Sequence, residues 1–235
     1  MSSALDIKWD INSSNIPKSG VSVEKSIFFL KKLHAEYVWD IVHLEGNPYT
    51  FLEVQTLLDG TTIGGHSLSD QTQVLNQSTS LKELSDTIKS GNVKIDRTLA
   101  LRYHNLVAKE EALEWGCFRN GQVFISGTDY RPPVAEDLNI IFDNGLKQIL
   151  QIENAFERAL IYYFFGSLNQ FFYDGNKRTS RLIMNTILMS NGYYYLSVPG
   201  KRKEEFDSTM VDFYNTKNAT AGIEFMLSCY RDFGV

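Results

Sequence analysis

The chain has 235 residues, a hydrophobic fraction of 43% and a formal net charge of −5 at pH 7. This length and apolar content support a sizeable core and favour one globular domain. The negative charge argues against a general nucleic-acid-binding surface, which would be basic, and no apolar run reaches the roughly 18–20 residues that span a bilayer.

Few residues are available for metal or disulfide chemistry. Cys117 and Cys229 are the two cysteines, and no signal-peptide pattern precedes them, so we expect free thiols in a reducing, cytoplasmic compartment. The four histidines do not have the spacing of metal ligands; they are His34, His43, His66 and His104.

The first part of the chain predicts a polar arm followed by helices. Residues 1–20 are rich in Ser and Asn, and we expect a loose N-terminal arm, with residues 21–235 forming a single domain. Apolar residues at helical spacing predict one helix over 22–45, which Gly46 and Pro48 end.

Three further segments follow before the middle of the chain. Thr50 and Glu53 have the pattern of a capping box and predict a helix that runs toward Leu58. Helix is also expected over 66–91, with a polar break at 76–79, and again over 98–114.

The periodicity then changes. Residues 117–125 place Asn120-Gly121 between apolar stretches, which predicts a β-hairpin. Helices are expected over 134–144 and over 146–168, the second of which is apolar on nearly every face and therefore buried. Two C-terminal helices, over 203–216 and 219–231, complete a mostly α-helical architecture.

The most informative segment is Gln170 to Arg181, QFFYDGNKRTSR, which leads into an apolar helix. Gly175 permits a tight turn, after which the first amides of the helix point toward whatever lies in that turn. Arg178 and Arg181 are three residues apart on one helix face and can bind one polyphosphate. Asp174 is placed to hold Mg²⁺ against that phosphate.

This segment resembles the signature of the Fic family, His-x-Phe-x-(Asp/Glu)-Gly-Asn-(Gly/Lys)-Arg-x-x-Arg. The matching residues are Phe172, Asp174, Gly175, Asn176, Lys177, Arg178 and Arg181. The resemblance implies an all-α Fic-type bundle with a core at about 98–195 and a β-hairpin flap at 117–125 on which a protein target docks. It also implies an enzyme that transfers AMP from Mg·ATP to that protein, with phosphate contacts from Gly175, Asn176, Lys177, Arg178 and Arg181.

The chain departs from the signature at its first position, where Gln170 replaces the histidine. In the family that histidine is the general base that deprotonates the target hydroxyl. A glutamine can hydrogen-bond a hydroxyl but cannot accept its proton, and a general base contributes about 10²- to 10⁴-fold in rate.

A second resemblance lies in the N-terminal region at about 22–58. Leu44-Glu45-Gly46-Asn47 is similar to the inhibitory-helix motif of Fic proteins, (Ser/Thr)-x-x-x-Glu-(Gly/Asn), although Ile41 replaces the Ser or Thr. The resemblance implies that Glu45 reaches Arg181 and makes ATP bind unproductively. A carboxylate at a helix C-terminus costs roughly 0.3–1 kcal/mol unless a cation compensates it.

Two functions remain open from the sequence. One is an adenylyltransferase-type enzyme, inhibited by Glu45 and slowed by Gln170. The other is a nucleotide-binding pseudoenzyme that acts through a partner, and transfer of another phosphate-containing group is also compatible with this scaffold.

Overall fold

The computed structural model describes residues 5–231 and residue 233. These residues form ten α-helices and short 3₁₀ turns, with no named β-strand among them. The α-helices are α1 (Val23–Lys32), α2 (His34–Leu44), α3 (Phe51–Leu58), α4 (Leu68–Lys89), α5 (Arg97–Val107), α6 (Leu138–Ile149), α7 (Ala155–Asn169), α8 (Asn176–Ser190), α9 (Lys203–Thr216) and α10 (Thr220–Cys229). None of these helices is long and apolar enough to cross a membrane. The predicted all-α class is confirmed.

Helix α7 lies at the centre of the bundle. Its side chains are buried from Ala159 to Asn169, as the all-round apolar sequence predicted. Glycines at the contacts allow neighbouring helices to lie close to α7. A Cβ on Gly166 would lie 2.1 Å from the Oγ of Ser180 in α8, and one on Gly222 of α10 would lie 2.5 Å from Phe164. The α7–α8 pair therefore forms the rigid base from which the motif loop projects.

The remaining helices surround this pair. Helix α5 packs against α8 and α4, and α2 packs against α4 and α3. Thr50 begins α3 with the predicted capping box, in which the Thr50 hydroxyl and the Glu53 carboxylate each accept a backbone N–H of the other residue. The predicted C-terminal helices are present as α9 and α10.

Several helix boundaries were wrong. The single helix predicted over 22–45 is divided at Leu33, where φ is −103° and ψ is 15°. Helix α6 continues through Gly145, and α7 begins after Asn154, whose Oδ1 accepts the N–H groups of Phe156 and Glu157. Helix α5 ends at Val107 instead of continuing to 114.

The polar break predicted at 76–79 was also wrong, because α4 is continuous. Its polar residues are buried against loops that offer hydrogen-bond partners. Asn76 donates to the Lys109 carbonyl at 2.7 Å, and Gln77 donates to the Val107 carbonyl at 3.2 Å. Polar side chains that interrupt a local pattern are tolerated in a helix when distant groups satisfy them.

The N-terminal segment is attached to the bundle wherever the structure describes it. Leu5 and Ile7 are buried, Lys8 forms an isolated β-bridge with Asn218, and the Trp9 indole donates to Glu157 at 2.8 Å. These apolar side chains hold residues 5–9 against the C-terminal helices, so this part is not the loose arm that we predicted. Residues 1–4 lie outside the described residues.

The hairpin predicted over 117–125 is not formed as a β-ladder. This segment is a loop of turns and extended residues, and its Arg119 N–H donates to the Phe171 carbonyl at 2.9 Å. The loop is fixed by long-range bonds to the motif, described below, and not by pairing across Asn120-Gly121. We refer to residues 117–125 as the flap loop.

Candidate active site

A cavity of about 520 Å³ lies where the N-terminus of α8, the flap loop and α9 meet. Its size is within the range of ligand-binding clefts. Its walls contain most of the predicted site residues, and no histidine is among the described residues that line it. The lining residues are Glu45, Phe124, Ile125, Ser126, Gln170, Tyr173, Asp174, Gly175, Asn176, Lys177, Arg178, Asp207, Met210, Val211 and Tyr214.

The motif loop is held in shape by the side chain of Asn176. Its Oδ1 accepts the N–H of Phe172 at 2.9 Å, while its Nδ2 donates to the Phe172 carbonyl at 2.8 Å and to Gln170 Oε1 at 3.0 Å. Gly175 has φ +72°, and a Cβ there would lie 3.2 Å from both Ala108 and Val107. The Asn176 side chain thus stabilises the loop. The backbone N–H of Asn176, at the N-terminus of α8, is the group of this residue that could bind a phosphate.

Gln170 ends α7 in the left-handed region, with φ +46° and ψ +61°. Both ends of its side-chain amide are engaged, since Nε2 donates to the Ser167 carbonyl at 2.7 Å and Oε1 accepts from Asn176. The side chain therefore serves the loop, and it has no titratable group that would accept a proton.

Arg119 connects the flap loop to the motif. Its guanidinium is buried and donates to three carbonyls at 2.6 Å each, those of Gln170, Gly121 and Pro133. Three charge-assisted bonds from one planar group fix the backbone of Gln170 relative to the flap loop. The sequence suggested a flap residue here but not this function.

His104 supports the motif loop from beneath. Its ring stacks on Phe172 with centroids 3.7 Å apart, its Nδ1 accepts the Gly116 N–H at 3.1 Å, and its Nε2 donates to the Asp174 carbonyl at 3.0 Å. Burial lowers the pKa of His104 to about 4. With no exposed surface and both nitrogens engaged, His104 does not replace the missing base.

The two motif arginines, predicted to bind one polyphosphate, occupy different environments in this structure. Arg178 is buried, and its Nη1 donates to Glu111 Oε2 at 2.6 Å while its Nη2 lies 3.4 Å from Asp174 Oδ2. Burial would lower the pKa of Arg178, but the carboxylates around it, Glu45 and Glu111 foremost, raise it. The charge of Arg178 is thus already compensated by carboxylates.

Arg181 is the unusual cation of the site. Its side chain is 1% exposed, and none of its three guanidinium nitrogens has a hydrogen-bond partner among the described residues. The guanidinium carbon lies 5.7 Å from the centroid of the Phe206 ring. A buried charge without a hydrogen-bonded partner is costly, and Tyr163 and Glu45 interact electrostatically with Arg181. Arg181 itself is not among the residues that line the cavity.

Glu45, predicted as the inhibitory residue, lines the same cavity at the end of α2. Its Oε2 pairs with Lys177 at 3.6 Å. Among the residues that the structure describes, Glu45 forms no ion pair with Arg181, and its buried Oε1 has no hydrogen-bond partner. Burial would raise the pKa of Glu45, but the cations of the motif, Lys177 first, outweigh it and hold the pKa below its usual value. Glu45 is therefore a carboxylate at neutral pH, and it faces the positive charges that a phosphate would need.

Helix α9 supports the end of α2. Lys203 donates to the Leu44 carbonyl at 2.7 Å and pairs with Asp207 at 2.8 Å. Asp207, Met210, Val211 and Tyr214 then line the cavity at the i, i+3, i+4, i+7 spacing of one helix face. Sequence reasoning missed these residues, because the same spacing is also typical of an ordinary core face.

Asp174 is the carboxylate available to a metal ion. Its side chain is 58% exposed, and its Oδ1 accepts the Gly175 N–H at 2.6 Å. No group of three His, Cys, Asp or Glu side chains among the described residues is arranged to hold a metal. Mg²⁺ is commonly held by one or two carboxylates together with substrate phosphates, and the exposed Asp174 beside the helix N-terminus fits that arrangement.

Comparison with known proteins identifies the domain. The model of the Fic/DOC family matches residues 94–188, which include the flap loop and the whole motif. Residues 94–188 are a Fic domain. The chain is 26% identical over 210 residues to the protein adenylyltransferase Fic of Drosophila erecta and 29% identical over 171 residues to that of Aedes aegypti. These matches cover 86% and 69% of the chain but 41% and 34% of the relatives, so the chain spans about two-fifths of their length or less.

Solved structures show the same fold around the Fic domain. A Fic-domain-containing signalling protein from Bacteroides thetaiotaomicron has a TM-score of 0.73 and 19% identity, and the match covers 92% of this chain and 88% of that one. Fic-1 from C. elegans has a TM-score of 0.70 and 23% identity, with 94% and 64% covered. The likeness therefore includes the helices on both sides of residues 94–188.

Proposed function

We propose that this Fic domain binds Mg·ATP in the 520 Å³ cavity and is an adenylyltransferase scaffold that Glu45 restrains. The N-terminus of α8 carries the proposal, since residues 175–178 line the cavity there. Lys177 and the first amides of α8 supply positive potential at this point. Arg181 follows further along α8, outside the cavity lining, and its buried guanidinium has no hydrogen-bond partner among the described residues. A polyphosphate supplies the charge and the acceptor atoms that this arrangement needs.

Transfer of AMP to a protein requires one bond to form and one to break. A hydroxyl oxygen of the target forms a bond to the α-phosphorus, the bond from that phosphorus to the bridging oxygen of the β-phosphate breaks, and pyrophosphate leaves. The hydroxyl proton must go to an acceptor. Gln170 is not one, so water takes the proton and the step is slower by about 10²- to 10⁴-fold than with a histidine.

Charge stabilisation remains possible without that base. Phosphoryl transfer depends largely on positioning and on neutralisation of phosphate charge. When Mg²⁺ is bound, it supplies such neutralisation, with Asp174 as the protein ligand. Lys177 and Arg181 stabilise the negative charge that remains.

We also propose the flap loop as the docking site for a protein target. Phe124 is 69% exposed and lies at the cavity edge with Ile125 and Ser126. Residues 123–125 have no ladder partner in the described structure. An extended segment of another protein can pair with this backbone and bring a hydroxyl to the cavity.

A second candidate function has a specific observation in its favour. Both amide atoms of Gln170 are hydrogen-bonded, one to Ser167 in α7 and one to Asn176, so at the cavity wall this side chain stabilises the motif loop. A nucleotide-binding pseudoenzyme, in which ATP alters a partner interaction without transfer, uses the same cavity.

The experiment is mass spectrometry of AMP addition, to the chain itself or to lysate proteins, after incubation with Mg·ATP. We compare Glu45→Gly with Glu45→Gly/Gln170→His, and the wild-type chain is the restrained control. Modification by the double variant, with the single variant about 10²- to 10⁴-fold slower, supports the proposal. Equal rates for the single and the double variant would mean that a group other than residue 170 accepts the hydroxyl proton. Binding of Mg·ATP without modification by either variant would favour the pseudoenzyme, and absence of binding would refute both functions.

A further inference from the structure

A chain of side-chain hydrogen bonds joins the end of α2 to the motif through α4. Asn47, two residues after Glu45, donates from Nδ2 to Gln73 Oε1 at 3.0 Å. Gln73 donates from Nε2 to Glu111 Oε2 at 3.0 Å, and the same oxygen accepts from Arg178 at 2.6 Å. This route is separate from the direct pair between Glu45 and Lys177. We call it the amide relay.

The orientation of each amide in the relay is fixed by a second contact. Asn47 Nδ2 also donates to the Asp70 carbonyl at 3.0 Å, and Asn47 Oδ1 accepts the Tyr49 N–H at 3.1 Å. Gln73 must therefore present its oxygen to Asn47 and its nitrogen to Glu111. The amide nitrogens of Asn47 and Gln73 each donate to an oxygen, and Glu111 accepts from both Gln73 and Arg178.

Glu111 is held on several sides. Its side chain is 9% exposed, and its other oxygen, Oε1, accepts from Asn76 at 3.0 Å. Arg178 is 2% exposed at the side chain and also donates to the Val107 carbonyl at 3.4 Å. Nε of Arg178 is buried without a hydrogen-bond partner among the described residues, but Nη1 and both oxygens of Glu111 are bonded. Buried, hydrogen-bonded polar groups of this kind favour one geometry, and a change at one member affects the others.

We propose that Gln73 and Glu111 are positioning residues of the phosphate site, because they tie the backbone that carries Glu45 to the arginine of the motif. This inference rests on the proposed function of the cavity. The relay stabilises the arrangement in which Glu45 faces the motif cations. A polyphosphate that displaces the backbone at Glu45 would also break or move the Asn47–Gln73 bond.

Gln73→Leu removes the Asn47–Gln73 bond with little change of volume and leaves the charge of Glu45 intact. It also removes the bond from Gln73 to Glu111, which keeps its bonds from Asn76 and Arg178. We expect it to tighten Mg·ATP binding about three- to tenfold, the range that one or two neutral hydrogen bonds correspond to. Adenosine has no phosphate, and its affinity should not change.

The test is calorimetric titration of the full chain with Mg·ATP and with adenosine, for wild type, Gln73→Leu, Glu45→Gly and the double variant. The matched control is Gln71→Leu, the same substitution on the same helix. Tighter ATP binding by Gln73→Leu that disappears in the Glu45→Gly background supports the relay. An equal loss for both ligands, or a gain that persists without Glu45, would mean a merely structural role and overturn the proposal.

A second measurement needs no nucleotide, and it tests the relay independently of the proposed function on which this inference rests. Hydrogen exchange at the backbone amides of residues 45–47 should be faster in Gln73→Leu, and in Glu111→Gln, than in the Gln71→Leu control. Unchanged exchange in both variants overturns the relay even if ATP binds. Absence of nucleotide binding by Glu45→Gly would instead refute the proposed function while the exchange result still decides the relay.

Discussion

Arg119 offers the sharpest test of how the flap loop is held. Its guanidinium is 2% exposed and donates to three carbonyls at 2.6 Å. Three bonds from a charged donor, at about 1.5 kcal/mol each, amount to about 4.5 kcal/mol, and the lost solvation of the buried cation offsets part of this. We therefore expect Arg119→Met to lower the free energy of unfolding by about 2–4 kcal/mol.

The assay is urea denaturation followed by circular dichroism, with Arg131→Met as the control. Arg131 is exposed and contacts the Phe124 ring at 4.8 Å, so its loss should cost less than about 1 kcal/mol. Arg119→Lys should be intermediate, because an ammonium group cannot reach three carbonyls in one plane. If Arg119→Met were no more destabilising than Arg131→Met, the flap loop would not be held by this guanidinium and the reasoning would be refuted.

Three further predictions concern the motif and its support. Asn176→Ala removes three hydrogen bonds within the motif loop and should lower the free energy of unfolding by about 1–3 kcal/mol, measured in urea. Gly166→Ala places a Cβ 2.1 Å from Ser180 Oγ and should cost about 1–3 kcal/mol in thermal denaturation, whereas Gly64→Ala, with open space around it, should cost less than about 0.5 kcal/mol. The pKa of His104 is lowered to about 4, so the unfolded chain binds more protons between pH 4 and about 6.5, and the His104 contribution to stability is lost as the pH falls through that window. His104→Gln should show a smaller decrease of melting temperature from pH 7 to pH 4.5 than wild type, and an equal decrease would contradict the assignment.

Local patterns predicted much of the helical framework. The all-round apolar character of α7 indicated its burial, and the Thr50 capping box marked the start of α3 correctly. Such features depend on residues near one another in the chain, and propensity and capping act over those distances.

Long-range bonds overruled the local signals elsewhere. Asn120-Gly121 predicted a hairpin, but Arg119 fixes this segment through the carbonyl of Gln170, 51 residues away. The polar run at 76–79 predicted a break, but partners at Val107 and Lys109 satisfy those side chains and the helix continues. The spacing of residue types along the sequence does not reveal such distant partners.

Some residues of the site could likewise be predicted from the sequence, and others could not. The motif placed Lys177, Arg178 and Asp174 at one cavity, and Glu45 lies there as well. The sequence did not reveal that Glu111 compensates Arg178, because the two residues are 67 positions apart and carboxylates are common on loops. Only the structure shows that Arg178 has an ion pair whereas Arg181 has none among the described residues.

Helix α9 has two roles that selection cannot change independently. Its inner face, from Asp207 to Tyr214, shapes the part of the cavity next to the motif, and its first residue, Lys203, binds the last carbonyl of α2. A mutation of Asp207 that changed the shape of this wall would also remove the ion-pair partner of Lys203, and so would weaken the contact that Lys203 makes with the end of α2 next to Glu45. If the proposed function holds, changes at Asp207 are therefore expected to alter ligand preference and the effect of Glu45 together.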